Sequence, residues 1–308
     1  MRRRAFLAVS AGVLARGCGA EREAVLLVTA DTEAHVAVVT PRTGRVRARI
    51  RTVEGPRSIE ATPDGQAVVA HTKSGRVTLL RDRRVRRVLR AFTEPRYAAA
   101  KPGWAFVTDS ARGTVTAIDL WRGRIGGAAE VGDLARHLTI APDGRTLWVS
   151  LGNTAAEILS VDVSDPSRPR RGATLRPPFP AHDVGCSPDA SRLWVTSGSE
   201  RRLAIYAPGR PEPLAVLDAD APPQHVTFAG ARAFVTSGDD GSLRVQRADD
   251  GRRLAAIETP IGSYNVQRGG GWVVTPSLES GAIVVADLRG RVVARAQVAA
   301  AAHDACFV

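Results

Sequence analysis

Lysine is nearly missing from this chain: Lys73 and Lys101 are its only two, so 41 of the 43 basic residues are arginine. Set beside abundant alanine and glycine, that skew points to a GC-rich coding bias, and the formal charge of +12 says little about nucleic acid. Cysteine is scarce as well, with three residues and no close-spaced Cys or His motif of the kind that marks a zinc site. No Gly-x-Ser-x-Gly elbow, phosphate loop or dinucleotide fingerprint occurs, which removes the catalytic classes most easily marked in sequence. Beyond the first 20 residues no segment keeps a helical apolar period, so a helical bundle is excluded. What the chain does have is an ordinary apolar share of 44%, enough for a packed core in one large domain or two smaller ones.

The first residues, MRRRAFLAVSAGVLARGCGA, have a basic head, an apolar run from Ala5 to Ala15 and then small residues. This is the layout of a secretory signal, too short to span a bilayer as a permanent helix. Arg3-Arg4-Ala5-Phe6-Leu7 resembles the twin-arginine export motif, which implies export in the folded state. LARGC, ending at Cys18, resembles a bacterial lipoprotein box, with Arg16 where that family has a small residue. Two outcomes stand open: lipidation of Cys18, or cleavage after Ala20 by an ordinary signal peptidase. Removing residues 1–17 takes away four arginines and no acids, leaving a mature charge of +8. The expected division is an export signal over 1–20 and one domain over 21–308, in a protein either anchored to the cell membrane by lipid or secreted.

Internal repetition organises the rest. ATPDG ends at Gly65, APDG at Gly144 and SPDA at Ala190, with weaker versions at Lys101-Pro102-Gly103, Ala229-Gly230 and Gly269-Gly270; the intervals are 38, 41, 46, 40 and 40 residues. After each comes an apolar strand: QAVVAHT, WAFVTDS, RTLWVSL, SRLWVTS, ARAFVTS and GWVVTPS, with AVLLVTA at 24–30 making seven. A second alternating run follows, such as TVTAIDL at 114–120, and then a third. In GRVRARIR (44–51), arginines at 45, 47, 49 and 51 alternate with Val46, Ala48 and Ile50, the period-2 pattern of a half-buried strand. Four short strands per unit of about 40 residues is the signature of a β-propeller blade.

The chain opens on the second strand of a blade, and its last residues, AHDACFV, align with PRSIEAT, ARHLTIA and AHDVGCS, which are all inner strands. The expected fold is therefore an all-β, seven-bladed β-propeller of four-stranded blades. Its C-terminal strand joins the N-terminal blade and closes the ring, removing the open edges of an array. LWVTSGSERRLAIYAPG (193–209) and AFVTDSARGTVTAIDLWRG (105–123) resemble the YVTN-type propeller repeat, with Trp or Phe in place of its Tyr and Asp or Ser in place of its Asn. The resemblance covers the chain after the signal and implies the fold. It implies no single activity, since such propellers serve as lactonases, oxidoreductase domains, binders and scaffolds.

Aligned, the inner strands begin with a polar pair in every blade: Arg57-Ser58, Arg96-Tyr97, Arg136-His137, His182-Asp183, Gln224-His225, Tyr264-Asn265 and His303-Asp304. Four of the six histidines fall here. The expected site is the channel mouth these positions encircle, made of Arg57, Arg96, Arg136, His137, His182, Asp183, Gln224, His225, Tyr264, Asn265, His303 and Asp304. Three consecutive blades offer arginine, whose planar fork suits carboxylate or phosphate. Against that stands local pairing of Arg57, Arg96 and Arg136 with Glu54, Glu94 and Asp133. The opposite arc of His182, Asp183, His225, His303 and Asp304 has metal-ligand chemistry, but the pattern calls for no cofactor and no metal, and no catalytic residue is assigned.

Cys186 and Cys306 lie three blades apart, too far for a disulfide, and are read as small buried apolar residues. RDRRVRRVLR (81–90) falls on an outer strand and lacks the interleaved aromatics of a nucleic-acid patch, so no specific nucleic-acid binding is expected. Asp239-Asp240-Gly241 reads as a hairpin turn rather than a calcium loop. The function expected is a binding or scaffold protein of the cell envelope, monomeric, taking a small anionic ligand or an envelope protein, with membrane contact only through a lipid anchor. The alternative is a lactonase-like or metal-dependent hydrolase using the His/Asp arc.

Overall fold

A computed structural model describes residues 24–152 and 154–308. The export signal and Cys18 fall outside these residues. Within them, 28 strands form seven sheets of four antiparallel strands, a seven-bladed β-propeller with one short 3-10 turn, Thr72–Ser74. The inner strands are Ser58–Ala61, Pro95–Lys101, Leu138–Ile140, Val184–Cys186, Val226–Ala229, Gln267–Gly269 and Ala302–Phe307. The last of these closes the ring as expected, pairing antiparallel with Leu26–Ala30 in the register Leu26 to Phe307 and Leu27 to Cys306. Blade one is thus residues 24–51 with the C-terminal strand, and blades two to seven follow in chain order.

The two middle strands of each blade are apolar and largely buried; Leu26–Ala30 and Gln66–His71 are buried throughout. Both faces of such a strand pack against neighbouring blades, so its apolar residues run continuously instead of alternating. The core is accordingly divided into seven clusters, one in each wedge between adjacent blades. In the wedge between blades five and six, Trp194 is fully buried, meets Phe228 edge-on at 5.5 Å and donates its indole N–H to the Ala248 carbonyl at 3.1 Å. Buried tryptophan needs that acceptor, because an unpaired indole N–H in an apolar wedge is costly.

Outer strands differ from the alternation expected of them. In Val46–Arg51 only Ile50 is fully buried, and Ala48 is exposed. A bulge also breaks the period: Val38 faces Ala48 but Val39 faces Val46, so Arg47 is an extra residue and Val46 packs into a different wedge from Ile50. Six of the seven outer strands carry such an irregularity. Together with exposed arginines, as in Arg84–Leu89, these bulges twist and charge the outer edges against pairing with another sheet.

Candidate functional site at the channel mouth

The threonine of the repeated Val-Thr signature explains how the inner strands are held. Thr196 receives the Asp183 N–H at 3.1 Å and donates its own hydroxyl to the Gln224 carbonyl of the next blade at 2.5 Å. The same latch to the next blade runs from Thr29 to the Arg57 carbonyl, from Thr108 to that of Arg136 and from Ser150 to that of His182. Thr236 reaches the Tyr264 carbonyl in the same way. Each latch fixes the backbone just where the next polar pair begins, so the sequence repeat that marks the fold also sets the spacing of the mouth.

The structure gathers the expected residues around one axis, in two tiers. Arg57, Arg96, Arg136, His182, Gln224, Tyr264 and His303 form the outer tier. Beneath them, Ser58, Tyr97, His137, Asp183, His225, Asn265 and Asp304 line a cavity of about 210 Å³ that continues to Glu60. The centre is aromatic: the Tyr97 ring lies 4.1 Å from His137, 5.7 Å from His225 and 6.1 Å from His303. His137 lies 4.5 Å from His182 and 4.4 Å from His225, centroid to centroid. Tyr97 stood in the aligned ring but not in the expected site; its shared register with His137 and His225 was the available signal. A left-handed turn at Gly198 (φ +75°) makes room for His182, since a Cβ there would lie 2.6 Å from the His182 Cβ.

Much of the histidine and aspartate arc is occupied by the protein itself. Asp304 accepts hydrogen bonds from Ser58 Oγ (2.9 Å), Ile59 N (3.1 Å) and Ala305 N (2.9 Å), clasping blade two to blade one. Asp183 does the same for blade six, accepting from Val226 N at 3.0 Å. His303 Nδ1 lies 2.9 Å from the Arg57 carbonyl, and Asn265 donates to the His303 carbonyl at 2.7 Å. Gln224 and the Tyr264 hydroxyl both donate to Asp239, at 3.1 Å each. Asp239 belongs to the Asp-Asp-Gly turn, where Gly241 takes the left-handed conformation (φ +59°); the turn is a hairpin, and its first carboxylate braces the mouth.

On the arginine arc, local pairing is partial. Arg96 meets Glu94 at 3.3 Å, as the pairing alternative required. Arg57 instead meets Asp31, at 3.4 Å, from the preceding blade. Arg136 forms no ion pair among the described residues. The Nε atoms of all three arginines are buried and have no hydrogen-bond partner. Burial and the neighbouring charges of Arg136 and Arg57 lower the pKa of Arg96, which stays protonated nonetheless.

Burial controls the ionisation deeper in the channel. It raises Asp304 to about 6, against the pull of its three donors, and Glu60 to about 8, with the nearby Asp304 charge adding to the rise. His137, His182 and His303 are pushed well below the usual range, chiefly by burial, and are neutral at pH 7. His71, outside the ring, is a satisfied core histidine between the Glu54 carbonyl (3.2 Å) and Thr78 Oγ1 (2.9 Å). Cys186 and Cys306 are free; Cys306 is buried as expected, whereas Cys186 is only half-buried, at the opposite opening of the channel.

This architecture belongs to the class of seven-bladed β-propellers. No family model matches the chain, and no curated protein matches it either. Solved structures do. A protein of unknown function from Desulfotomaculum acetoxidans superposes with a TM-score of 0.79 at 11% identity, covering 92% of this chain and 98% of that one. A candidate 6-phosphogluconolactonase from Bacteroides fragilis gives 0.75 at 12% identity, covering 94% and 98%. Hydrazine synthase of Kuenenia stuttgartiensis gives 0.67 at 15%, covering 82% and 89%. At these identities the likeness is one of fold.

Proposed function

We propose that this chain is a divergent YVTN-type propeller, exported to the cell envelope as a monomer, that binds a small anionic ligand at the arginine side of its channel mouth. One observation carries the reading: three guanidiniums on adjacent blades, partly desolvated, each with a buried Nε lacking any acceptor. Buried donors without partners are costly, and a carboxylate or phosphate group is the acceptor that a cluster of planar forks fits. The bracing of the opposite wall supports binding over chemistry, since Asp183, Asp304 and Asn265 already spend their polar atoms on the ring.

The test is a thermal-shift panel of inorganic phosphate, phosphorylated sugars and di- and tricarboxylates on the exported form. A ligand present at a hundredfold its Kd stabilises by about 2.7 kcal/mol. The expected result is a shift with at least one anion, reduced roughly 10- to 100-fold in affinity by Arg136→Gln, in line with about 1.5–3 kcal/mol for a hydrogen bond to a charged group. A panel without shifts, or a shift that Arg136→Gln leaves intact, overturns the assignment.

One contact favours a second reading, a lactonase-like hydrolase. His225 Nδ1 lies 3.4 Å from the Asp183 carboxylate, an arrangement that suits a general base, and the fold is shared with a candidate 6-phosphogluconolactonase. Turnover of a phosphorylated sugar lactone, lost in His225→Gln, would establish it over simple binding.

A further inference from the structure

Three histidines from consecutive blades meet at the channel mouth, His182 from the tier of the arginines and His137 and His225 from the tier beneath. Each of His137, His182 and His225 offers a ring nitrogen, and these atoms lie within 4.8 Å of one another. All three residues are buried, with His137 only 1% exposed. The polar contacts of His137 decide which nitrogen it can offer. Nδ1 lies 2.6 Å from the His182 carbonyl and must donate to it, so Nε2 keeps its lone pair. That Nε2 is buried and has no hydrogen-bond partner. His225 is backed by the Asp183 carboxylate, which is itself fixed by the Val226 N–H.

We propose that His137, His182 and His225 form a binding site for one divalent transition-metal ion of the zinc or copper class. Neutral imidazoles suit these ions, and three of them leave a coordination position open in a tetrahedral site. The three-histidine set accounts for the orphaned Nε2 of His137 better than any packing role, because an unpaired buried acceptor gains nothing from neighbouring rings. The Asp183–His225 contact is the outer-shell carboxylate that such ligands commonly use to fix ring orientation. The close-spaced sequence motif that marks many zinc sites is absent because successive ligands come from successive blades, 45 and 43 residues apart in the chain. His303, fourth of the histidine set, is excluded because its ring nitrogens do not join the group whose atoms lie within 4.8 Å of one another.

The test uses Zn(II) and Cu(II) alone, without any anionic ligand, so that its outcome is separate from that of the anion panel. The chelator-stripped full chain is loaded, desalted and assayed for metal content, and the Cu(II) form is examined by electron paramagnetic resonance. Expected are one ion per chain and nitrogen hyperfine structure from three imidazoles. His137→Gln, His182→Gln and His225→Gln should each weaken binding by more than about 100-fold, Asp183→Asn by about 10- to 100-fold as an outer-shell change, and His303→Gln should leave it unchanged. Failure of the unmodified chain to retain an ion, or a Cu(II) spectrum without histidine nitrogens, overturns the proposal even if no variant folds. Equal retention by the His137 and His303 variants would overturn it as well.

Discussion

The two arcs of the mouth are built from equally polar residues, yet they end in opposite conditions. From blade five round to blade one, most polar side chains are bonded to the protein: Asp304 to three donors, Asp183 to a backbone N–H and Asn265 to a carbonyl. Across blades two to four, Arg57, Arg96 and Arg136 keep buried Nε atoms that nothing in the protein meets. Residue type therefore does not separate a structural polar group from a functional one; satisfaction does. A side chain whose hydrogen bonds are complete adds to the ring, and one left incomplete at a concave surface is available to a ligand. His137 falls on the incomplete side of that line, although it follows an arginine in the chain.

The sharpest way to break this comparison is Asp304→Ala. It would strand two buried backbone donors and the Ser58 hydroxyl at the seam where the chain closes on itself, at about 1–3 kcal/mol for each unsatisfied group. The expected loss is about 3–5 kcal/mol, read from urea unfolding at pH 7. If Arg136→Gln destabilised the fold as much, the distinction between the arcs would collapse. Next in size is Glu60→Gln. With its pKa raised from 4.5 to about 8, Glu60 holds a proton in the folded state that the unfolded chain has released. Stability conferred by the protonated form is present below pH 4.5 and is lost as pH rises through 8. At about 1.4 kcal/mol per unit, Glu60→Gln should gain about 2–4 kcal/mol at pH 9 and almost nothing at pH 4, checked by thermal melts at both. Equal gains at the two pH values would show that burial of the charge is not the cause.

The ring was legible in the sequence because repetition supplies an internal alignment. Once Arg57, Arg96, Arg136 and His182 fall in register, any ring closure brings them to one axis, whatever the details of packing. Partners were not legible, because they are set between blades. Asp304 caps Ile59 across 245 residues, and Arg57 finds Asp31 on the blade before it rather than the nearer Glu54. The convergence of His137 with His182 and His225 depends on side chains at two different positions of the polar pair leaning into the same throat, which a one-dimensional alignment does not encode. Outer strands misled for a related reason: the bulge at Arg47 changes which face each residue takes without leaving a mark in the apolar pattern.

A smaller effect sharpens the account of the latches. Thr196→Val keeps the shape of the side chain but removes its bonds to Asp183 N and the Gln224 carbonyl, for an expected loss of about 1–3 kcal/mol. Blade two shows why the figure should stay at that scale, for Ala70 occupies the same register there, opposite Ser58, and the Thr72 hydroxyl bonds the neighbouring Pro95 carbonyl instead, at 2.7 Å. The ring tolerates such losses: blade two uses this nearby hydroxyl, and in blade seven the buried Thr275 hydroxyl has no partner among the described residues. Smallest of all is the change from Arg84, Arg86 and Arg87 to glutamine on the exposed outer strand of blade two. Solvated arginines on this strand should alter stability by no more than about 0.5 kcal/mol each, and their loss should leave anion shifts untouched while Arg136→Gln weakens them. A loss of anion response in the outer-strand variant would mean that the protein attracts anions through net charge, and that the mouth arginines hold no special place among the 41.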